Sequence, residues 1–294
     1  MPCTLKNNTL EVHLDLPMEG YSYSRFDWSG KITKVKYRDI PMTTIERTDN
    51  IDPDLFGKGL YNEFGIETAL GFDEIETGDW FHKIGVGALK KHNTSYLFSD
   101  SYEIRPARFE FETKANTLII RCVSETLNGY AYLLQKEFTI KESSLLISYQ
   151  LQNTGEKSIH TDEYAHNFLA INQAKISKDY VLKFPFHFKE KGFEMFVNPE
   201  QQLTLNFGDI GFNGSPKEQF FISHLNGIEN VPASWELQNL NHKLGIREHG
   251  SFSTNKVNLW GWEHVVSPEL FHQISIEPGE TTEWSRTYEF FEVK

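Results

Sequence analysis

The stretch YAYLLQKEFTIKESSLLISYQLQN, residues 130–153, decides the fold. It reads as two strands, residues 130–140 and 144–153, joined at Lys141-Glu142-Ser143 and closed off by Asn153-Thr154-Gly155. Short polar turns between β-rich runs mark antiparallel neighbours. Both runs exceed the usual strand length of about 5–6 residues, which suits a wide sheet rather than a small barrel. Upstream, residues 102–104, 108–113 and 117–124 extend the meander, with turns at Lys114-Ala115-Asn116 and Asn128-Gly129. Further upstream, Leu10, Val12, Leu14 and Leu16 alternate with polar partners, and Ile32, Val35 and Tyr37 follow a Ser29-Gly30 turn. Downstream, residues 180–188, 202–207, 219–225, 234–239, 244–249, 257–262, 271–276 and 282–291 read as strands, the last two joined by Glu277-Pro278-Gly279-Glu280. Amphipathic helical periodicity is nearly absent, as are internal repeats and low-complexity linkers. The expectation is an all-β chain, a large antiparallel β-sandwich with few short helices, forming one domain over residues 1–294.

Two regions break the pattern. Residues 41–79 are rich in Gly, Asp and Glu and read as a long irregular insertion around Asn62 and Glu63. Residues 80–89, WFHKIGVGAL, read as one strand with Phe81, Lys83 and Gly85 on one face and His82, Ile84 and Val86 on the other. Only one of His82 and Lys83 can then face a groove.

Composition limits the function classes. The formal net charge of −12 argues against binding a phosphate backbone, so no nucleic-acid partner is expected. The two cysteines, Cys3 and Cys122, lack metal-ligand spacing and imply no disulfide framework. No secretory leader and no apolar run of membrane-spanning length is visible, so a cytoplasmic chain without a membrane partner is expected, as monomer or homodimer. The 23 Phe, 12 Tyr and 6 Trp fit strands, and they also fit flat walls for sugar rings. His249, His264 and His272 are scattered without ligand spacing, and neither a phosphate loop nor a nucleophile elbow is present.

Residues 158–172, SIHTDEYAHNFLAIN, place two histidines, two acids, a tyrosine and two asparagines in one short apolar-flanked segment. Such groups need partners or a cavity. The even spacing of His160 and His166 puts both on one face of a regular strand, unless a bulge intervenes.

Several pieces together resemble the aldose 1-epimerase (galactose mutarotase-like) family. They are Arg25-Phe26-Asp27-Trp28-Ser29-Gly30, the Asn153-Thr154-Gly155 turn followed by His166-Asn167-Phe168, Trp260-Gly261-Trp262-Glu263-His264 ahead of Ser267-Pro268-Glu269, and the closing Ile276-Glu277-Pro278-Gly279-Glu280 with Trp284-Ser285-Arg286. The resemblance implies the galactose mutarotase-like supersandwich, with a small-molecule sugar lying in a groove across one sheet. It implies interconversion of the α and β anomers of a free aldose, with His166 as general acid and Glu263 as general base, and no cofactor or metal. On that reading Trp260 and Trp262 desolvate Glu263 and raise its pKa, and Asp162 or Glu163 orients His166.

The chain departs from the family pattern at two points. Asn62-Glu63 stands where the family has Asn-Arg, and the second family histidine, in a His-Gly-Gly context, is replaced by His82-Lys83. Lys83, His82, Glu63, Asn62, Arg25, Asp162 and Trp262 are the expected substrate contacts. A non-catalytic carbohydrate binder and a hexose-6-phosphate 1-epimerase are the alternatives on the same scaffold.

Overall fold

Two antiparallel sheets carry most of the chain, in a computed structural model that describes residues 3–49, 52 and 54–294. The 10-stranded sheet runs in the order Leu203–Asn206, Asp209–Phe212, Tyr180–Lys183, Val231–Asn239, Leu244–Thr254, Thr281–Glu292, Ser144–Asn153, Tyr132–Lys141, Thr117–Val123 and Arg108–Lys114. Its heart is the predicted pair, Tyr132–Lys141 against Ser144–Asn153, flanked by the C-terminal strand. The 7-stranded sheet runs Cys3–Lys6, Leu10–Asp15, Lys31–Tyr37, Leu60–Phe64, Ile159–Asn167 and His272–Ile276, with Ile40–Pro41 beside Lys31–Tyr37. One apolar core joins the two sheets, with Val12, Leu14 and Leu60 from the smaller and Ile120, Leu134 and Ile147 from the larger. Helical structure among the described residues is limited to three single-turn 3-10 segments, Phe72–Glu74, Ile171–Gln173 and Glu190–Gly192. Among the described residues no helix is long and apolar enough to cross a membrane.

Two expectations are corrected, and one strand lies outside them. Residues 41–79 are not wholly irregular, because Leu60–Phe64 is a central strand of the 7-stranded sheet, buried at all five positions. A strand covered on both faces shows no polar alternation, which hid it. Residues 80–89 are not one strand but a hairpin, Trp80–Lys83 against Gly87–Lys90, turned by Gly85 at φ 81 and Gly87 at φ 146. A Cβ at Gly87 would lie 2.2 Å from the Arg105 carbonyl, so only glycine fits there. Finally, Val265–Leu270 is a strand despite Pro268. It forms the edge of a 4-stranded sheet, where a missing N–H costs little.

Between the two large sheets runs a dry layer of charges. Arg286, fully buried, donates to Glu163 Oε2 at 2.7 Å and to Glu248 Oε1 at 2.5 Å. Asn62 Nδ2 donates to Glu163 at 2.6 Å, while its Oδ1 accepts from Lys136 at 2.8 Å and Tyr149 at 2.9 Å. Lys136 also pairs with Asp27 at 2.9 Å. Asn167 Nδ2 donates to Glu248 at 3.0 Å. The expectation of Asn62 as a sugar contact is thus corrected, since its side chain is committed to this inner layer.

The outer face of the same sheet contains the contrasting case. Asp15 lies opposite Lys31, and Tyr61 opposite His166, in neighbouring strand pairs. The pairing of Ile32 with Leu60 sets Lys31 across from Tyr61. Among the described residues Lys31 Nζ and the Tyr61 hydroxyl have no hydrogen-bond partner, and burial pushes the Lys31 ammonium down to about 8.

Removing Arg286 strands two inward carboxylates, so Arg286→Leu is expected to destabilise the fold by about 3–5 kcal/mol. Lys31→Met removes a buried, unpartnered charge and is expected to stabilise it by about 1–3 kcal/mol at neutral pH. Urea denaturation of the two variants, followed by tryptophan fluorescence, should move the midpoint in opposite directions.

Candidate active site

The strand Ile159–Asn167 alternates between the inner layer and the outer groove. Glu163 and Asn167 point inward, so Tyr164 and His166 point outward. No register shift interrupts the strand, so His160 shares the face of His166; it is exposed and contacts Ser275 at 3.0 Å. The antiparallel neighbour Leu60–Phe64 sets Tyr61 beside His166 and Glu63 beside Tyr164.

His166 is 4% exposed. Its ring stacks on Phe168 at 4.2 Å, and Trp260 meets it edge-on at 5.4 Å. Nδ1 lies 2.7 Å from Ser267 Oγ, which also accepts from the Asn167 backbone N–H at 3.0 Å. The other ring nitrogen, Nε2, faces the site. There it meets the Glu269 carboxyl at 3.4 Å. Glu269 is also 4% exposed. Burial pushes its carboxyl up to about 8, and burial with the nearby Arg25 charge holds His166 well below the ordinary imidazole range. At neutral pH the pair therefore holds one titratable proton, on Glu269.

Beside this pair stands a second polar group. Arg25 donates to Glu63 at 2.9 Å, Glu46 at 3.1 Å and the Tyr164 hydroxyl at 3.2 Å. Tyr164 donates to Glu63 at 2.7 Å. Lys83 donates to Glu63 at 3.2 Å, the Gly65 carbonyl at 3.1 Å and Tyr96 at 2.8 Å. The Arg25 guanidinium sits between the rings of Phe26 and Phe98, at 4.5 and 4.6 Å. Above it lies a cavity of about 250 Å³, walled by Tyr21, Phe26, Glu46, Phe56 and Phe98.

Of the predicted residues, His166, Glu63, Lys83 and Arg25 come together here. Glu263 does not join them. It lies in the turn between Val257–Trp262 and Val265–Leu270, and its carboxylate takes a hydrogen bond from Lys175 at 2.9 Å, which lowers its pKa rather than raising it. The carboxyl that faces His166 is Glu269, six residues later. Trp262 turns its indole N–H to the Lys217 carbonyl at 2.6 Å, and Trp260 is the residue against His166. His82 points away, bonded to the Tyr130 carbonyl at 3.2 Å and packed on Tyr132, where burial drops its pKa to about 4. Neither Asp162 nor Glu163 orients His166; Ser267 and Glu269 touch its two nitrogens. Asp162 instead accepts from the Gly65 N–H at 3.1 Å.

Glu269, Ser267, Glu46 and Tyr96 escaped the sequence reading. For Glu269 the available signal was the run Val265–Leu270 as an edge strand, with Pro268 as the obstacle. Among the described residues no group of three or more His, Cys, Asp or Glu side chains is placed to hold a metal ion.

No family model matches the chain, and no curated protein matches it by sequence. Solved structures do match over its whole length. The Slr1438 protein from Synechocystis superposes with TM-score 0.63 at 13% identity, covering 100% of this chain and 96% of its own. A galactose mutarotase-like protein from Lactobacillus casei gives TM-score 0.57 at 11% identity, over 99% and 100% of the two chains. A GalM/aldose epimerase homologue from C. elegans gives TM-score 0.55 at 10% identity over the full length of both. The protein has the galactose mutarotase-like β-sandwich fold.

The one-proton pair makes stability depend on pH in a defined way. Between the ordinary histidine value of 6.5 and about 8, the unfolded chain holds no proton on these two groups while the folded pair holds one. Stability should therefore fall as pH rises through that window, by about 2 kcal/mol over its width. Glu269→Gln should lack this fall, as read from urea midpoints across the same pH range.

Proposed function

We propose that the protein is an aldose 1-epimerase that interconverts the α and β anomers of a neutral free sugar, with His166 and Glu269 as the acid–base pair. The observation that carries this reading is the 3.4 Å approach of His166 Nε2 to the Glu269 carboxyl, both buried on the outer face of the sheet. Mutarotation needs one group that accepts a proton and one that donates it, and the pair holds one proton between its two members. A sugar hydroxyl bound at the pair favours the ionised form, imidazolium with carboxylate, over the neutral form. Glu269 then takes the proton of the anomeric hydroxyl as His166 delivers its proton to the ring oxygen. The bond from the anomeric carbon to the ring oxygen breaks, and the open-chain aldehyde forms. Rotation about the bond next to the aldehyde and the reverse transfers close the ring as the other anomer. The Nδ1–H bond to Ser267 steadies the imidazolium through both transfers.

The surrounding groups support a neutral substrate. Arg25 and Lys83 are both bonded to Glu63, so neither is a free cation for a phosphate. Their partners include hydroxyls, Tyr164 and Tyr96, that sugar hydroxyls can replace. Phe26 and Trp260 offer apolar ring faces beside the pair. His166 and Glu269 are each 4% exposed, so a sugar reaches them only as side chains over the pair move.

Polarimetry on freshly dissolved α-glucose and α-galactose tests the reading. His166→Ala and Glu269→Gln are each expected to lower the enzymatic rate by about 10²–10⁴-fold. Glu263→Ala, which removes only a surface ion pair, should stay within about two-fold of wild type. Wild-type rates in the first two variants would overturn the assignment. In the wild type, kcat/KM should decline above a pH of about 8 as the pair loses its proton.

A further inference from the structure

A second and larger depression opens on the same face of the same strand. It has a volume of about 750 Å³. Asp162 and His160 form part of its floor, at positions that share the face of Tyr164 and His166 along Ile159–Asn167. At roughly 3.3 Å per residue, the Asp162 and His166 backbones stand about 13 Å apart, farther than one sugar ring spans. His224 enters from the far wall, its backbone in the left-handed region at φ 54 and its Nδ1 3.2 Å from Glu194. Lys256 and Gln273 complete the polar lining, and Ile228, 86% exposed, stands at the rim.

The depression abuts the acid–base site through two contacts. Gly65 lines it and donates its N–H to Asp162, while the Gly65 carbonyl accepts from Lys83. On the other side Lys256 caps the ring of Phe271 at 4.3 Å, and that ring stacks at 4.5 Å on Tyr164. The charges there are Glu67, Asp162 and Glu194 against Lys256, an acidic balance that disfavours phosphate, sulfate or uronate groups. What the lining offers is a dense set of amide, hydroxyl, imidazole and carboxylate groups around an open space, which is the chemistry that binds a neutral polyhydroxylated chain.

We propose that this depression is a second saccharide subsite, which takes the neutral sugar units attached to the aldose whose reducing end sits over His166. The inference rests on the aldose 1-epimerase reading for the position of the reducing end, and it makes the substrate class a short neutral oligosaccharide rather than a lone monosaccharide.

Titration calorimetry on the intact chain tests it, with glucose, maltotriose and cellotriose, and with galactose and β-1,4-galactotriose. Within at least one series, the trisaccharide is expected to bind about ten-fold or more tightly than its own monosaccharide. His224→Asn keeps a residue that tolerates the left-handed backbone and shortens the side chain; it should collapse that ratio to near one. Equal affinity for trisaccharide and monosaccharide in both series would overturn the proposal. So would a chain-length gain that His224→Asn leaves intact, or no binding of any of these sugars. Mutarotation of each sugar is followed separately. A chain-length gain with no acceleration of mutarotation keeps the subsite and removes the epimerase reading, whereas acceleration with no chain-length gain does the opposite.

Discussion

The arrangement depends on the buried contact of Arg286 with Glu163 and Glu248. All three are fully buried, and each comes from a different strand. Desolvating these charges is costly, so the layer stabilises the fold only while every member keeps its partners. In return it fixes register. A one-residue slip of Ile159–Asn167 would turn Glu163 and Asn167 out to the groove and carry Tyr164 and His166 into the interior. The partners at the other end of the layer, Asn62, Lys136 and Asp27, do the same for Leu60–Phe64, where Asn62 pointing inward makes Glu63 point outward. The layer's three carboxylates exceed its two cations, and burial holds the Glu248 carboxyl above the usual range.

The outer face inverts this logic. Around Arg25 the charged groups are paired closely enough to survive burial, whereas Lys31 on the same face has no hydrogen-bond partner among the described residues. Arg25 satisfies its donors with two glutamates and a tyrosine, and the rings of Phe26 and Phe98 hold it flat. The His166–Glu269 contact is different again. At 3.4 Å it is longer than a well-formed hydrogen bond, and both groups are shifted toward their neutral forms. A pair that is neutral when dry and ionised when solvated by hydroxyls suits a reaction that moves one proton in each direction.

Much of the scaffold was legible in the chain. The long runs around residues 130–153 announced a wide sheet, because half-buried strands alternate and the turns between them carry their own residue types. The first catalytic candidate, His166, was visible through the resemblance carried by His166-Asn167-Phe168 after the Asn153-Thr154-Gly155 turn, in a strand whose polar groups need partners. Its partner was not. Glu263 and Glu269 are six residues apart, and each follows an apolar run. Which of them faces His166 depends on the turn at residues 263–264, which reverses the chain, and on the bridge of Leu169 to Val266, which lays the following strand beside His166. Neither leaves a mark in local composition, and Pro268 argues locally against a strand.

By itself, then, the sequence determined an antiparallel β architecture, put His160 and His166 on one face of any regular strand, and through its net charge argued against a polyanionic partner. These follow from side-chain period, turn chemistry and net charge, all of which are local or additive. The tertiary structure decided the identity of the second carboxyl, the burial of Leu60–Phe64, the commitment of Asn62 to the interior and of Glu63 to the groove, and the pKa of Glu269. Those depend on which distant segments become neighbours, and desolvation acts only once the sheets have closed over the groups it shifts.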